Sequence, residues 1–555
     1  MLLERTEDCD VLVVGSGIAG ISAALSAAEA GRRVILACYG KLFSGSSFYP
    51  GTWGLGLIGP EDKADEEDLA ASIEQVGCGM ADPEMVRTFV SGISPAVDRL
   101  RSMGVKLRRA GHGGEKEYIP CFDHKHRDWN GIEFDSAGEI FLRRLTELKV
   151  KVLPGCQLLE LIKADGSDRV CGAVFSRQDQ ILFLSCGALV LATGGYGSIF
   201  RYHLCTEDIT GMGQYLALQA GCRLVNMEFM QMMPGYISPA YKTIFNEKTF
   251  RFTDMRRGDG SELLSSEEKE QLILRSTHGP FTSRLESRTI DFALFRAFME
   301  DERGVSVSYT DAMRRNTPEF VKVYFDWLKE ARGITMEDTV HIGIFAHAAN
   351  GGIKTAPDTS AGVDGLFAAG EVTGGMHGAD RIGGLSTANG LVFGGKAGLS
   401  AAEASEEAAG REVCRPKKCH FEARIWDKDS CREARKMLQD TMTRNAMILR
   451  DESGLSSALD QVYSLKERMA AETVPLNHVT SETVKAAAQM RLLQGQLGTA
   501  ESILKAALLR KESRGAHCRT DYPAENPAMD SPVLIAQEKD EIQAAFSRIK
   551  FDRDI

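Results

Sequence analysis

Residues 10–20 read Asp10-Val-Leu-Val-Val-Gly15-Ser-Gly17-Ile-Ala-Gly20, an apolar run that ends directly on a glycine-rich turn. The apolar part, residues 10–14, has the length and composition of a buried strand. An alanine-rich helical pattern follows over residues 21–30, stops at Gly31, and gives way to a second strand pattern over residues 33–37. This strand–helix–strand order predicts a parallel sheet in an α/β fold.

The three glycines of the turn have the spacing of a dinucleotide-binding motif. Gly15 permits the tight turn, Gly17 lets a pyrophosphate approach the backbone, and Gly20 lets helix and strand pack closely. The start of the helix attracts phosphate charge. The alternative is a tight turn that binds no ligand. The acidic residue that would bind an adenosine ribose after the second strand is missing, and Cys38 or a neighbour stands there instead. The turn alone therefore leaves the cofactor open and argues against NAD as the primary occupant.

Composition excludes several classes of function. The net charge is −11 and no basic cluster is present, so we expect no nucleic-acid partner. The 13 cysteines form no CxxC pair, which indicates reduced thiols, a cytoplasmic protein, and no bound metal or iron–sulfur cluster. The apolar run 11–28 follows an acidic leader and contains three glycines, so we expect neither a signal peptide nor a membrane segment.

The 555 residues are too many for one hydrophobic core, so we expect two or three domains. The secondary structure predicted from the sequence changes along the chain. Strand patterns recur over residues 150–153, 170–175 and 181–192, and the charged region that follows carries helical patterns at 290–302 and 318–332. A glycine-dense segment over 343–398 comes next. Beyond residue 401 the chain is mostly helical, and the part after Pro523 is polar, so we expect it to be loose.

Four later segments carry a family resemblance. They are Ala188-Leu-Val-Leu-Ala-Thr-Gly-Gly195, His347-Ala-Ala-Asn-Gly-Gly-Ile353, the run 365–384 around Gly370-Glu371 and His377-Gly-Ala-Asp-Arg381, and Glu512-Ser-Arg-Gly-Ala-His-Cys-Arg519. In order and spacing they resemble the flavoprotein family of fumarate reductase, succinate dehydrogenase and L-aspartate oxidase, from about residue 8 to 523. The resemblance implies FAD and a two-dinucleotide-binding-type α/β domain. It assigns residues 1–233 and 341–405 to that domain, 234–340 to an inserted α+β capping domain, 406–525 to a helical domain, and 526–555 to a polar tail.

The resemblance also implies roles for individual residues. Glu371 should hydrogen-bond the FAD ribose, while His347 and Arg381 should bind a substrate carboxylate, which a planar guanidinium matches well. The alternatives are a helix cap for Glu371, a core histidine for His347 and a surface ion pair for Arg381. His377 either faces the flavin or packs the turn. The full set implied for FAD is Gly15, Gly17, Ala19, Gly20, Cys38, Gly45, Ser46, Ser47, Ala192, Thr193, Gly194, Glu371 and Ser386.

An arginine of the capping domain moves the proton in this family. The similar segment here is Phe281-Thr-Ser-Arg284-Leu-Glu-Ser-Arg288. Its spacing does not separate the two arginines, and we favour Arg284. The alternative is an arginine exposed on a helix.

The sequence departs from the family at two places that matter for chemistry. Family members with covalent FAD carry a histidine where this chain has Ser44-Gly-Ser-Ser-Phe-Tyr49, so we expect noncovalent FAD. The histidine that helps hold a second substrate carboxylate is replaced in Glu228-Phe-Met-Gln231-Met-Met233-Pro234, and the accompanying Thr-Glu-Gly has no recognisable counterpart. Because a buried carboxylate needs paired donors, this change argues against a C4 dicarboxylate. Part of the methionine set is expected to be core.

These features predict an FAD-dependent oxidoreductase that acts on a C–C or C–N bond beside a carboxylate. Activities like those of L-aspartate oxidase and of enoate or fumarate reductases both remain open, and so does the electron acceptor. The alternative is a flavoprotein subunit of a larger complex with iron–sulfur or quinone partners. A flavin-binding protein without catalysis is the third interpretation. Partners are expected to be a small carboxylate and either a second copy of the chain or an electron-transfer protein.

Overall fold

The computed structural model describes residues 1–52, 54–109, 125, 127–315, 317–408 and 416–547. The strands in these ranges are β1 Leu2–Val14, β2 Val34–Ala37, β3 Leu55–Gly59, β4 Leu107–Arg109, β5 Asp128–Ile132, β6 Lys151–Leu153, β7 Cys156–Lys163, β8 Val170–Arg177, β9 Gln180–Leu191, β10 Leu224–Val225, β11 Met230–Ser238, β12 Thr253–Arg256, β13 Val305–Tyr309, β14 Val340–Ala349, β15 Gly352–Lys354, β16 Leu366–Ala368, β17 Thr373–Gly374, β18 Lys418–His420, β19 Arg424–Ile425, β20 Val474–Pro475, β21 Val533–Glu538 and β22 Glu541–Phe546. The helices are α1 Ile18–Glu29, α2 Lys63–Val76, α3 Pro83–Met103, α4 Phe134–Glu147, α5 Met212–Gln219, α6 Ser266–Glu270, α7 Leu272–Arg275, α8 Arg288–Glu300, α9 Asp311–Arg315, α10 Glu319–Arg332, α11 Leu385–Glu407, α12 Lys428–Ala446, α13 Glu452–Glu472 and α14 Ser481–Leu509.

The central sheet confirms the predicted α/β fold. Its strand order is β6-β2-β1-β9-β8-β7, with β16 beside β9 and β18 beside β1. The strands β6, β2, β1, β9 and β16 run parallel, and β8 and β7 continue the sheet as antiparallel strands. Val14 lies opposite Leu191, which lies opposite Ala368. The carboxyl ends of three parallel strands therefore meet at one edge, where ligands bind in open α/β sheets.

Helices α1 and α11 cover one face of this sheet and pack unusually closely. A Cβ on Gly394 would lie 2.4 Å from the backbone oxygen of Ala19, and a Cβ on Gly398 would lie 2.2 Å from that of Ala23. Only glycine permits this approach at the two positions. The close packing holds the start of α1 firmly against the edge of the sheet.

The region predicted to be inserted, residues 234–340, is attached by two paired strands. β11 enters it and β14 leaves it, with Met230 opposite Ala349 and Ser238 opposite His341. The sheet order there is β11-β14-β13-β12, and the helices α8 and α10 lie where the helical patterns predicted them. The boundaries proposed for the domains stay predictions, since β11 and β14 run continuously across 233 and 341.

The chain after residue 523 corrects one expectation. Strands β21 and β22 form a hairpin that joins β10, with Leu534 opposite Val225. Val533 and Ile535 are fully buried. The expectation of a loose tail is therefore wrong for residues 533–546, because alternating apolar side chains lie within a polar segment. Residues 548–555 of that predicted tail lie outside the described residues.

None of the helices in the described ranges combines the length and apolar character that crossing a lipid bilayer demands.

Candidate active site

A cavity of about 380 Å³ opens at the carboxyl ends of β1, β9 and β16. It brings together most of the residues that the sequence assigned to a site. Those that line it are Gly15, Gly17, Ala19, Gly45, Ser46, Ser47, Ala192, Thr193, Gly194, His347, Glu371, His377, Arg381 and Ser386. The described lining does not include Gly20, Cys38 or Arg284.

The turn after β1 shows why its glycines differ in role. Gly15 has φ of +110°, and a Cβ there would lie 2.2 Å from the backbone oxygen of Ala192. A Cβ on Gly20 would lie 1.9 Å from the backbone oxygen of Gly15. These two glycines are needed for packing. At Gly17 the nearest atom to an added Cβ is the Ser47 hydroxyl oxygen at 3.5 Å, so space remains on the cavity side.

The polar groups around this turn fit a dinucleotide cofactor. The Ile18 N–H at the start of α1 donates to the Ser47 hydroxyl over 3.2 Å. The hydroxyl of Thr193 is buried and has no hydrogen-bond partner among the described residues. A helix start, a small hydroxyl and an unpaired buried hydroxyl at one edge are the donors that a bound dinucleotide would use.

Glu371 lies at the same edge, where β16 ends. Its Oε1 accepts a hydrogen bond of 2.9 Å from the Ala349 N–H. Burial raises the pKa of Glu371, and the Ala349 N–H opposes that rise. The carboxyl is thus fixed in the cavity wall by the Ala349 N–H. The Cys38 side chain, by contrast, is fully buried behind this wall, and Tyr39 lines the cavity instead.

Arg381 is held by a side chain from β11. Its Nε donates to Oε1 of Gln231 over 2.9 Å, and the Gln231 amide donates to the Arg381 backbone oxygen over 3.2 Å. Arg381 is buried and lines the cavity. A guanidinium oriented through its Nε can bind a planar anion with its two terminal nitrogens.

His347 faces the same cavity because of a bulge in β14. Gln231 pairs with Ala348 and Met232 pairs with Ala346, so His347 is the extra residue between them. Such bulges re-aim a side chain next to a site. Burial first, and the charge of Arg381 second, lower the pKa of His347 to about 3. The imidazole is therefore neutral at pH 7, and its buried Nδ1 has no partner within the described part of the chain.

His377 also lines the cavity. Its Nε2 lies 3.2 Å from the Asn389 amide nitrogen of α11. Burial, followed by the charge of Arg381, holds its pKa well below the usual range. His377 thus lies in the cavity wall, and its contact with the flavin stays a prediction.

Arg284 lies beside residues 377–381, which we call the clamp segment, and it is not among the residues that line the cavity. Its Nε donates to Oδ2 of Asp380 over 3.0 Å, and the Thr282 hydroxyl donates to the same oxygen over 2.6 Å. Arg288 instead donates to the backbone oxygen of Ser283 over 2.7 Å. Of the two arginines, only Arg284 contacts the residue next to Arg381 in the hydrogen bonds described.

A buried ion pair holds the loop of residues 234–340 that reaches the cavity. Arg275 and Asp291 are both fully buried and lie 2.9 Å apart. Arg275 also donates to the backbone oxygens of His278 and Gly279, over 2.6 and 3.1 Å. The pair thereby fixes the loop that brings Gly279 and Pro280 to the cavity.

One wall of the cavity is formed by Met233, Glu247 and Gly279, and Met233 stands where the resemblance implies a histidine for a second carboxylate. A Cβ on Gly279 would lie 3.7 Å from the Met233 methyl carbon and 3.8 Å from the Glu247 carboxyl carbon. Burial raises the pKa of Glu247. We call this wall the thioether wall. The other methionines of the segment, Met227, Met230 and Met232, belong to the core, as expected for part of the set.

Sequence reasoning missed Asp380, Glu247 and the role of Gln231. Asp380 is the neighbour of Arg381 in the chain, and Gln231 lies two residues before Met233, so both could have been found by asking what holds the arginine. Glu247 begins a short 3-10 helix, Glu247–Phe252, which no sequence pattern predicts.

Comparisons with known proteins identify the family. Residues 10–387 match the family described as FAD binding domain, and residues 435–552 match the fumarate reductase flavoprotein C-terminal family. The chain is 28% identical to one subunit of the fumarate reductase (CoM/CoB) of Methanothermobacter marburgensis, over 95% of this chain and 97% of that protein. It is 28% identical to L-aspartate oxidase of Mycobacterium leprae, over 96% of this chain and 97% of that protein.

Solved structures share the fold over nearly the full length. Mycobacterium smegmatis Sdh1, in a complex with UQ1, is 25% identical with a TM-score of 0.79, covering 98% of this chain and 94% of that one. Escherichia coli quinol fumarate reductase FrdA is 21% identical with a TM-score of 0.77, covering 99% and 98%. The predicted resemblance is confirmed, and the chain belongs to the FAD-dependent oxidoreductase family of fumarate reductase, succinate dehydrogenase and L-aspartate oxidase.

Proposed function

We propose that the protein holds FAD noncovalently at the edge of the parallel sheet and oxidises or reduces a small carboxylate at the carbon next to its acid group. The observation that supports this most directly is the pair formed by Arg381 and His347 in one cavity with the glycine turn and Glu371. FAD, when bound, supplies hydride transfer at N5. All other steps fall to side chains of this chain.

Each side chain has a distinct task in this proposal. Arg381 binds the substrate carboxylate through its terminal nitrogens, and neutral His347 hydrogen-bonds the same group. The inserted region covers the cavity and excludes water. Arg284 moves the proton that accompanies hydride transfer, and it reaches the cavity through a bound water while Asp380 holds its Nε.

The residue types near the cavity mouth support noncovalent attachment. The segment 44–49 contains no histidine, and its Tyr49 hydroxyl donates to the Lys242 backbone oxygen. Denaturation in acid tests this: FAD should appear in the supernatant, and yellow colour retained in the precipitate would refute it.

The thioether wall supports a narrower substrate class. A second carboxylate there would meet a methyl group and the acid of Glu247 where a donor is needed, which is costly in a buried site. We therefore propose a substrate whose second end is apolar or donates hydrogen bonds. Neither Met233 nor Glu247 offers a positive charge to a second carboxylate, which disfavours fumarate and succinate.

An anaerobic stopped-flow panel tests the activity and the substrate class together. Dithionite-reduced holoprotein is mixed with crotonate, 4-hydroxycrotonate, fumaramate and fumarate, and oxidised holoprotein with the saturated and amino acid counterparts. We expect a change in the flavin absorbance near 450 nm with acids that lack a second carboxylate. Reaction with fumarate or succinate alone would overturn the substrate class, and no reaction with any acid would overturn the activity.

A second candidate function is that of a flavoprotein subunit in an electron-transfer complex. The similarity to a protein named as one subunit of a fumarate reductase, at 28% identity over nearly the whole chain, favours it. Partners would supply iron–sulfur clusters or quinone, since the described residues contain no group of three or more candidate metal ligands. Native purification from the host with metal analysis separates the two. Free thiols at all the described cysteines support a cytoplasmic location in both cases.

A further inference from the structure

We infer that Asp380 is a positioning residue. It fixes the guanidinium of Arg284 next to Arg381, which is proposed to bind the substrate carboxylate. The inference rests on the proposed function, in which Arg284 moves a proton. Asp380 immediately precedes Arg381, so one short segment would bind the substrate and orient the group that acts on it.

Asp380 is a buried carboxyl with specific hydrogen-bond donors. Its side chain is fully buried, whereas that of Arg284 is 24% exposed. Oδ2 accepts hydrogen bonds from the Thr282 hydroxyl and the Arg284 Nε, over 2.6 and 3.0 Å. Oδ1 is also buried and has no hydrogen-bond partner among the described residues. The carboxyl therefore directs its bonded oxygen to the inserted region and leaves the other oxygen unused.

The backbone beside Asp380 is firmly held. The backbone oxygen of Ala379 accepts hydrogen bonds from the Asn350 amide at 3.4 Å and from the Ala516 N–H at 3.1 Å. The Ser283 N–H, between Thr282 and Arg284, donates to the backbone oxygen of Gly515 over 2.8 Å. These hydrogen bonds hold the backbone on both sides of the contact. Residues 515–516 bond to the residue before Asp380 and to the residue before Arg284.

A carboxylate is an expensive choice for a purely structural contact here. Burying it with one oxygen unpaired costs free energy, and burial raises the pKa of Asp380 to about 6. A neutral amide could accept the same two hydrogen bonds at Oδ1. What the acid adds is charge, which holds the guanidinium more strongly and in one orientation.

The charged and titratable groups that face Asp380 come from three elements. Arg284 belongs to the inserted region, Cys78 follows α2, and Glu525 lies in the C-terminal segment. Arg284 favours the ionised acid, while Glu525 disfavours it. Burial, and then the charge of Asp380, raise the pKa of Cys78 to about 12, so the thiol stays neutral. Arg284 is therefore the group that ionised Asp380 holds.

The experiment compares the holoprotein variants Asp380→Asn, Asp380→Glu, Arg284→Gln and Asp326→Asn, the last an exposed acid on α10 as the matched control. The rate of flavin reoxidation or reduction is measured from pH 5 to 8 with the best acid of the panel. Binding of an unreactive carboxylate is measured by calorimetry at pH 7.5. We expect Asp380→Asn to lower the rate about 10- to 100-fold, as misplacement of a catalytic group does, with binding changed less than about 3-fold. The acid limb near pH 6 should disappear in Asp380→Asn, and Asp380→Glu should recover part of the rate.

The outcomes separate this inference from the proposed function. A slow Arg284→Gln with a normal Asp380→Asn would overturn the role of Asp380 and leave the function intact. Equal losses of rate, binding and thermal stability in Asp380→Asn would show a structural role and also overturn it. A normal Arg284→Gln would remove the proton role on which the inference depends. Absence of electron exchange in the unmodified protein would overturn the proposed function itself.

Discussion

Gln231 and Arg381 hydrogen-bond each other in both directions, side chain to side chain at 2.9 Å and side chain to backbone at 3.2 Å. Gln231 lies on β11, two residues before Met233, and Arg381 lies in the segment that precedes α11. Because β11 pairs with β14, the strand that fixes Arg381 and carries Met233 of the thioether wall is hydrogen-bonded to the strand that presents His347. One ladder therefore sets the spacing between the charged anchor and the rest of the cavity.

Replacing Gln231 by Met should weaken carboxylate binding about 10-fold. The two side chains are similar in size, but the change leaves the buried Arg381 Nε without its acceptor, which costs about 1–3 kcal/mol. Flavin absorbance titrated with carboxylate gives the dissociation constant. Gln219→Met, at an exposed position of α5, serves as the control. Unchanged binding in Gln231→Met would contradict the positioning role.

Replacing Met233 by His should shift preference toward dicarboxylates. The new side chain would place a hydrogen-bond donor on the thioether wall beside Glu247. We expect the ratio of fumarate to crotonate reactivity to rise about 10-fold, the size of one charge-assisted hydrogen bond. The measurement is the stopped-flow panel with both acids on the same preparation. A ratio that stays the same would place the selectivity elsewhere in the cavity.

Two glycine substitutions should separate packing from cofactor binding. Gly20→Ala places a Cβ 1.9 Å from a backbone oxygen, so it should lower the thermal midpoint of the protein with and without FAD. Gly17→Ala meets nothing closer than 3.5 Å, so it should fold normally and bind FAD more weakly. Calorimetric melting and flavin titration report the two effects. Equal FAD affinity in Gly17→Ala and the unmodified protein would argue that no pyrophosphate lies there.

The pH dependence of stability offers an independent test of Asp380. Its pKa is raised to about 6 in the folded protein and is about 3.9 in an unfolded chain. The folded state therefore binds the proton more tightly, and this stabilisation is lost as the pH rises from about 4 through 6. Between pH 5 and 7 the unmodified protein should lose about 1 kcal/mol relative to Asp380→Asn. Parallel stability curves would contradict the raised pKa.

The sequence predicted the fold well where local pattern and glycine geometry suffice. The run 10–20 placed β1, the turn and α1, although α1 begins at Ile18 because Gly17 is its N-cap. The clamp residues His347 and Arg381 were found through the motifs that contain them and do share a cavity.

What the sequence could not supply were relationships that depend on the packed structure. The bulge that turns His347 inward needs the register of β11 against β14, and the contact of Arg284 with Asp380 joins residues 96 positions apart. The polar composition after Pro523 concealed the strands β21 and β22, because their apolar side chains alternate. Cys38 was assigned to the cofactor from its position after β2, but its side chain points into the core.

Binding of a carboxylate to the Arg381→Gln holoprotein tests the central claim most directly. The variant should keep its FAD, because Arg381 is not among the residues proposed to hold it. Its affinity for the best acid of the panel, read from the flavin absorbance change, should fall about 100-fold or more, because a buried guanidinium is removed from its anion. An affinity equal to that of the unmodified protein would contradict the account.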